Sequence, residues 1–278
     1  MAKISNEERG LYLEKTKAYR EAIGTILQEE RIILTAIQKE PENAAYKRIA
    51  LVDEMLDLAS HYIILSNIAQ VVLKNKSEEA LNDGRKALYK GIIYLEETVG
   101  NLVDAPFSEY EDKLAALELL DADRRYLLIR KLGLGIELLE NAYGDNTKWR
   151  WSFVDMEGRY AAAAKNILDL KKVVVNTDPR SPYYEPTVYH LRLVKQLLAQ
   201  AADRYREMYE LSTHRIDDFR MGIHFLDALR RIHTVLGDRE EADLLKKKSD
   251  IWSAKLEADL RRGGAPVLKK VQDANVVS

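Results

Sequence analysis

The chain has 278 residues, 46% of them hydrophobic, with 43 basic and 45 acidic side chains. That length suits one large or two modest domains. The charges alternate in sign along the sequence, which excludes the broad positive field that nucleic acid or an anionic membrane surface would need. With no cysteine, disulfides, thiolate metal sites and a cysteine nucleophile are excluded as well.

Glycine (13) and proline (6) are scarce and good helix formers dominate. This predicts an all-α protein of about eight mostly long antiparallel helices packed as a bundle. The N-terminus, Met1-Ala-Lys-Ile-Ser-Asn-Glu-Glu, lacks the apolar run of a signal peptide. No stretch nears the roughly 18 apolar residues of a membrane span. The expectation is a cytoplasmic protein without membrane insertion, or an exported or periplasmic one if a presequence is removed.

Ser5 with Glu8 forms a capping-box pattern that opens a first helix running to about Lys39, before Pro41. A second helix follows from Pro41 to about Asn75, dense in Val52, Met55, Ile64 and Ile68 and expected to be largely buried. Ser77 caps a third, whose leucines recur every seven residues at Leu81, Leu88, Leu95 and Leu102, with the small Gly84, Gly91 and Thr98 three positions further on. Ser108 with Glu111 reads as a second capping box for a helix to about Tyr143, with Gly144 as its C-terminal cap. A fifth helix is expected from about Thr147 to Asn176. The extended Asp178-Pro179-Arg180-Ser181-Pro182-Tyr183-Tyr184-Glu185-Pro186 segment then separates residues 1–178 from a three-helix part, 187–262, with 179–186 as linker. The sixth helix carries Leu191, Val194, Leu198, Ala201, Tyr205, Met208 and Ser212 at alternating three and four spacing. A last pair turns at Gly237-Asp238, and residues 263–278 read as a flexible tail.

Leu229, Ile232, Gly237 and Ala242 resemble a tetratricopeptide hairpin, as do Ile64, Ile68 and Val71 followed by Ala80 and Ala87. The two stretches, about 222–252 and 64–87, cover a quarter of the chain. The resemblance implies a protein-binding scaffold with a concave face and supplies no catalytic residues.

None of the five histidines, His61, His190, His214, His224 and His233, sits in a paired helical metal-ligand motif. Glu207, Glu210, His214, Asp217 and Asp218 form the nearest constellation, and a metal- or ligand-binding bundle using the His214 region is the alternative reading. Gly133-Leu134-Gly135 lies in an apolar helical pattern and marks close packing or a kink rather than a phosphate loop. No nucleophile elbow, phosphate loop or kinase signature occurs, and no cofactor is expected.

Aromatic residues supply the remaining signal. Trp149 and Trp151 point to different sides of one helix, and Tyr183 and Tyr184 stand between prolines. All four are candidate partner-contact residues. The leading expectation is a non-enzymatic scaffold or structural subunit acting through a protein partner or self-association, in a filament, sheath or flagellum-like assembly.

Overall fold

Ser5 opens the first helix with the predicted reciprocal cap. Its hydroxyl accepts from the Glu8 amide, and the Glu8 carboxylate accepts from the Ser5 amide. The computed structural model describes residues 4–144 and 148–261, and the described residues form ten α-helices and no strand. The expected start of a helix at Thr147, and the tail expected at 263–278, lie outside the described residues.

The chain divides into two compact units, one ending at Leu198 and the next beginning at Ala199. In the first unit α1 (Asn6–Lys39), α2 (Ala44–Val72) and α3 (Glu78–Val99) run as successive antiparallel hairpins. The α2–α3 pair makes the most extensive contact, α5 (Ala122–Tyr143) packs on both, and α6 (Arg150–Asn166) packs on α3 and α5. Leu51, Val52, Met55, Leu88, Ile92 and Leu95 are sealed between them, each worth about 1.5–3 kcal/mol of transfer free energy. The small residues of α3 act as predicted. A Cβ on Gly91 would stand 3.3 Å from Met55 Cβ, and one on Gly84 3.4 Å from both Tyr62 Cβ and Leu139 Cδ1. Leu102, expected to continue the seven-residue row, falls beyond the end of α3 and is exposed.

Polar staples set the register around α3. The buried Glu30 carboxylate of α1 accepts from Lys90 Nζ and from the Tyr94 hydroxyl at 2.6 Å, and burial with that bond pushes the tyrosine pKa up. Glu96 pairs with Arg159 of α6, and Glu97 with Arg48 of α2.

α2 is also the one helix among the described residues long and apolar enough to cross a membrane, which corrects the expectation that no stretch comes near. From Met55 to Val72 its only charge is Asp57, because Ser, Asn, His and Gln fill the other polar positions. In the fold α2 packs on α1, α3 and α5 and buries Leu58 and Leu65, but Ile63, Ile64 and Ile68 are only half-buried and Val71 is exposed, so the stretch is less covered than expected.

Two expected helices are broken. The Ser108–Tyr143 stretch forms a 3-10 turn at Phe107–Glu109, a short α4 (Glu111–Ala115) and a further turn before α5, and neither Ser108 nor Glu111 makes the predicted cap. Asp121 caps α5 instead, accepting from the Arg124 amide. The stretch to Asn176 breaks after α6, and Asp169 caps a separate α7 (Leu170–Asn176) through the Lys171 and Lys172 amides. In both places a short aspartate side chain captures amides that a continuous helix would use.

The proline segment is not extended throughout. Residues 177–183 form turns and α8 (Tyr184–Met208) begins inside it. Pro186 stands in the first turn of α8, where a missing N–H removes no helical bond.

Gly133 has a specific reason to be glycine. The buried Tyr160 side chain crosses α5 there so that its hydroxyl donates to Ile129 O at 2.8 Å, and a Cβ on Gly133 would stand 2.5 Å from that hydroxyl. Gly133→Ala gains about 1 kcal/mol in helix propensity but forces a rigid, buried ring aside. The expected net loss is about 1–2 kcal/mol by urea denaturation, and a stabilised variant would contradict this account.

In the second unit the last residues of α8 lead to a π-helical turn at Tyr209–Thr213, then α9 (Ile216–Val235) and α10 (Arg239–Arg261). The helical row expected to reach Ser212 therefore stops at Met208. Phe219 is fully buried, stacked on Tyr209 with ring centroids 5.0 Å apart and 5.7 Å from Trp252. Gly237 turns the α9–α10 hairpin with φ 75°, and Asp238 meets His233 Nδ1 at 2.7 Å. This hairpin is compatible with a tetratricopeptide-like unit.

Candidate functional site

The predicted aromatic contacts do not share one surface. Trp149 and Trp151 are half-buried at the N-terminal end of α6. The guanidinium of Arg85 lies 4.3 Å from the Trp149 ring centroid and that of Arg150 4.8 Å from Trp151. An arginine of the chain itself already covers each indole. Tyr183 is exposed and Tyr184 half-buried. Tyr183 lines a cavity with Leu168 and Asp169, just beyond the other end of α6, so the helix length separates the two pairs by roughly 25 Å.

That cavity, about 150 Å³, is where the two unexpected helix breaks meet the start of α8. Arg125, on the core side of α5 and 5% exposed, organises it. Its Nε donates to Leu120 O at 2.7 Å, one terminal nitrogen to Leu117 O at 2.9 Å and the other to Ile167 O at 3.1 Å. These carbonyls belong to the turns after α4 and α6, so one cation satisfies both breaks. Three of the guanidinium's five N–H groups are thereby used. Among the described residues no carboxylate lies within ion-pair distance of it. Burial draws its pKa down, and Asp169 and Asp121 oppose this at longer range.

His190 and Thr187 of α8 close the cavity and are almost wholly buried. The His190 Nε2–H donates to Ala164 O at 3.0 Å. Burial is the main cause that pushes the ring pKa down to about 4, with the Arg125 charge adding to it against the Ala164 bond. The imidazole is therefore neutral near pH 7, with Nδ1 left as an acceptor. Glu118, Asp121 and Asp169 also stand on the wall, together with Lys172, whose ammonium is 3.6 Å from Asp169. The site thus presents both signs of charge around a buried polar floor.

A second feature is the outer face of α5. Leu127, Leu134 and Leu138 are 52%, 53% and 48% exposed. Each stands two positions after an inward residue, Arg125, Leu132 or Ile136, and at about 100° per residue this puts it on the opposite side of the helix. The core of the first unit has no use for that row. Lys131, between them, pairs with Asp53.

The His214 constellation is taken up by ion pairs. Glu210 binds Arg206 and Lys255, Asp218 binds Arg215 and Thr213, and Asp217 binds Arg220. Among the described residues no three His, Asp or Glu side chains gather to hold a metal ion. His214 itself caps the π turn with φ 51° and a buried Nδ1 that has no hydrogen-bond partner.

Sequence reasoning noted His190 only as one of five histidines and passed over Arg125. A usable signal was present, since an arginine at an inward position in register with Leu128, Ile129 and Leu132 is a charge placed in a core row.

The sequence matches the TP0443 family over residues 8–260. The chain belongs to the TP0443 family. The TP0443 match runs through both compact units and includes Arg125, Thr187, His190 and the three outer leucines of α5. No curated protein and no solved structure matches the chain.

Proposed function

We propose that this protein is a non-enzymatic helical structural subunit that works by protein–protein contact, and that its first contact is with a second copy of itself. The observation that carries this reading is the leucine row on α5. A helix that is apolar on its outer face as well as its inner one is normally covered. A single straight row is also self-complementary about a two-fold axis. The tetratricopeptide-like hairpin of α9 and α10 supports the same class. A filament or sheath, the more elaborate form of this reading, requires a second, non-equivalent face.

Light scattering during size-exclusion chromatography across a concentration series tests it. The full chain is expected to dimerise with rising concentration. The double variant Leu127→Gln/Leu134→Gln should remain monomeric with its stability within about 1 kcal/mol of the parent, because both positions are solvated. Mass that keeps growing beyond the dimer would indicate a filament. A parent chain that stays monomeric throughout, or a variant that associates as well as the parent, would overturn the proposal.

A further inference from the structure

The Arg125–His190 cavity has chemistry that the contact reading does not use. We infer that it is a binding site for a small zwitterion of the α-amino acid type, whose carboxylate lies against Arg125 and whose ammonium lies on the acidic wall. The inference rests on different residues from the α5 contact and stands or falls separately.

Size comes first. A cavity of about 150 Å³ is the scale that holds a molecule as large as benzene, which admits glycine, alanine or serine. Charge comes second. Arg125 is a buried cation with three carbonyl partners, two N–H groups to spare and no carboxylate in contact. A buried charge is costly until it meets a counter-charge, and a carboxylate matches the planar guanidinium fork. The rest of the wall then discriminates. Glu118, Asp121 and Asp169 outnumber Arg125 and Lys172, so phosphate or a dicarboxylate meets repulsion, whereas an ammonium group finds partners. His190 Nδ1 and the Thr187 hydroxyl, both almost wholly buried, are neutral groups suited to a polar ligand's remaining hydrogen bonds.

Two-dimensional NMR of the histidine rings in the full chain tests this, with His190 assigned by its loss in His190→Gln. Glycine, L-alanine and L-serine are the probes, and acetate and ethylamine carry the two charges singly. The expected result is a saturable shift of the His190 resonances by the amino acids, half-complete in the low millimolar range or below, with acetate and ethylamine at least about tenfold weaker, the effect of losing one charged partner. Thr187→Val, which keeps the side-chain shape, is expected to weaken alanine binding about fivefold or more, the scale of one neutral hydrogen bond. Arg125→Lys, which keeps the charge but loses the planar fork, is expected to weaken it by about tenfold. Should Arg125→Lys fail to fold by circular dichroism, Thr187→Val carries the test. No saturable shift with any amino acid, acetate binding as well as alanine, or an unchanged affinity in Thr187→Val would overturn the assignment.

Discussion

Replacing Arg125 with methionine is expected to lower the unfolding free energy by about 3–5 kcal/mol, a large share of the 5–15 kcal/mol typical of a folded domain. Methionine fills much of the same volume, so packing loss is not the main term. The loss comes from Leu117, Leu120 and Ile167, whose carbonyls together surrender all three guanidinium bonds. Charge-assisted bonds of this kind are worth about 1.5–3 kcal/mol each, and orphaned buried carbonyls add a penalty. Relief of the guanidinium's own desolvation offsets part of this, which is why the figure stays below the simple total. Arg125→Lys should fall between parent and Arg125→Met, since one ammonium cannot span carbonyls from three places. Guanidinium chloride denaturation measures the series. A loss under about 1 kcal/mol for Arg125→Met would mean that the helix breaks after α4 and α6 are held by something else.

Acidification is expected to destabilise the fold by about 3 kcal/mol through His190 alone. The ring takes up its proton near pH 4 in the folded chain and near 6.5 in the unfolded one. Above pH 6.5 both states are neutral and the histidine adds no pH dependence. Between 6.5 and 4 the unfolded chain binds the proton while the folded chain does not, so stability falls as pH is lowered. Below 4 both states are protonated and this contribution levels off. Arg125 reinforces the effect, because a charged imidazole would stand beside a buried guanidinium. Carboxylates titrate in part of the same window, so the informative quantity is the difference between parent and His190→Gln. Denaturation curves from pH 7 to 4 should show the parent losing about 3 kcal/mol more than the variant. Parallel profiles would show that the imidazole is hydrated or charged in the native state.

The contrast between the caps and the cavity shows how much was legible beforehand. Ser5 with Glu8, Ser77, Gly144 and Gly237 all act where the sequence placed them, because each cap is a contact within a few residues. The false capping box at Ser108 failed for a reason of the same local kind, since Asp121 offered a competing cap thirteen residues on. Gly133 was read correctly as a mark of close packing, but that its neighbour is the Tyr160 hydroxyl could not be read from either residue. The four aromatic candidates were judged by residue type, and type does not reveal that Arg85 and Arg150 already cover the two indoles.

The all-α class, the long antiparallel hairpins and most helix ends were therefore determined by sequence alone, through periodicity and capping bonds that span three or four residues. The cavity, the neutral state of His190 and the unburied leucine row of α5 were decided only by the tertiary structure. Arg125 finds its partners five, eight and 42 residues away, and only packing determines which side of a doubly apolar helix faces the core.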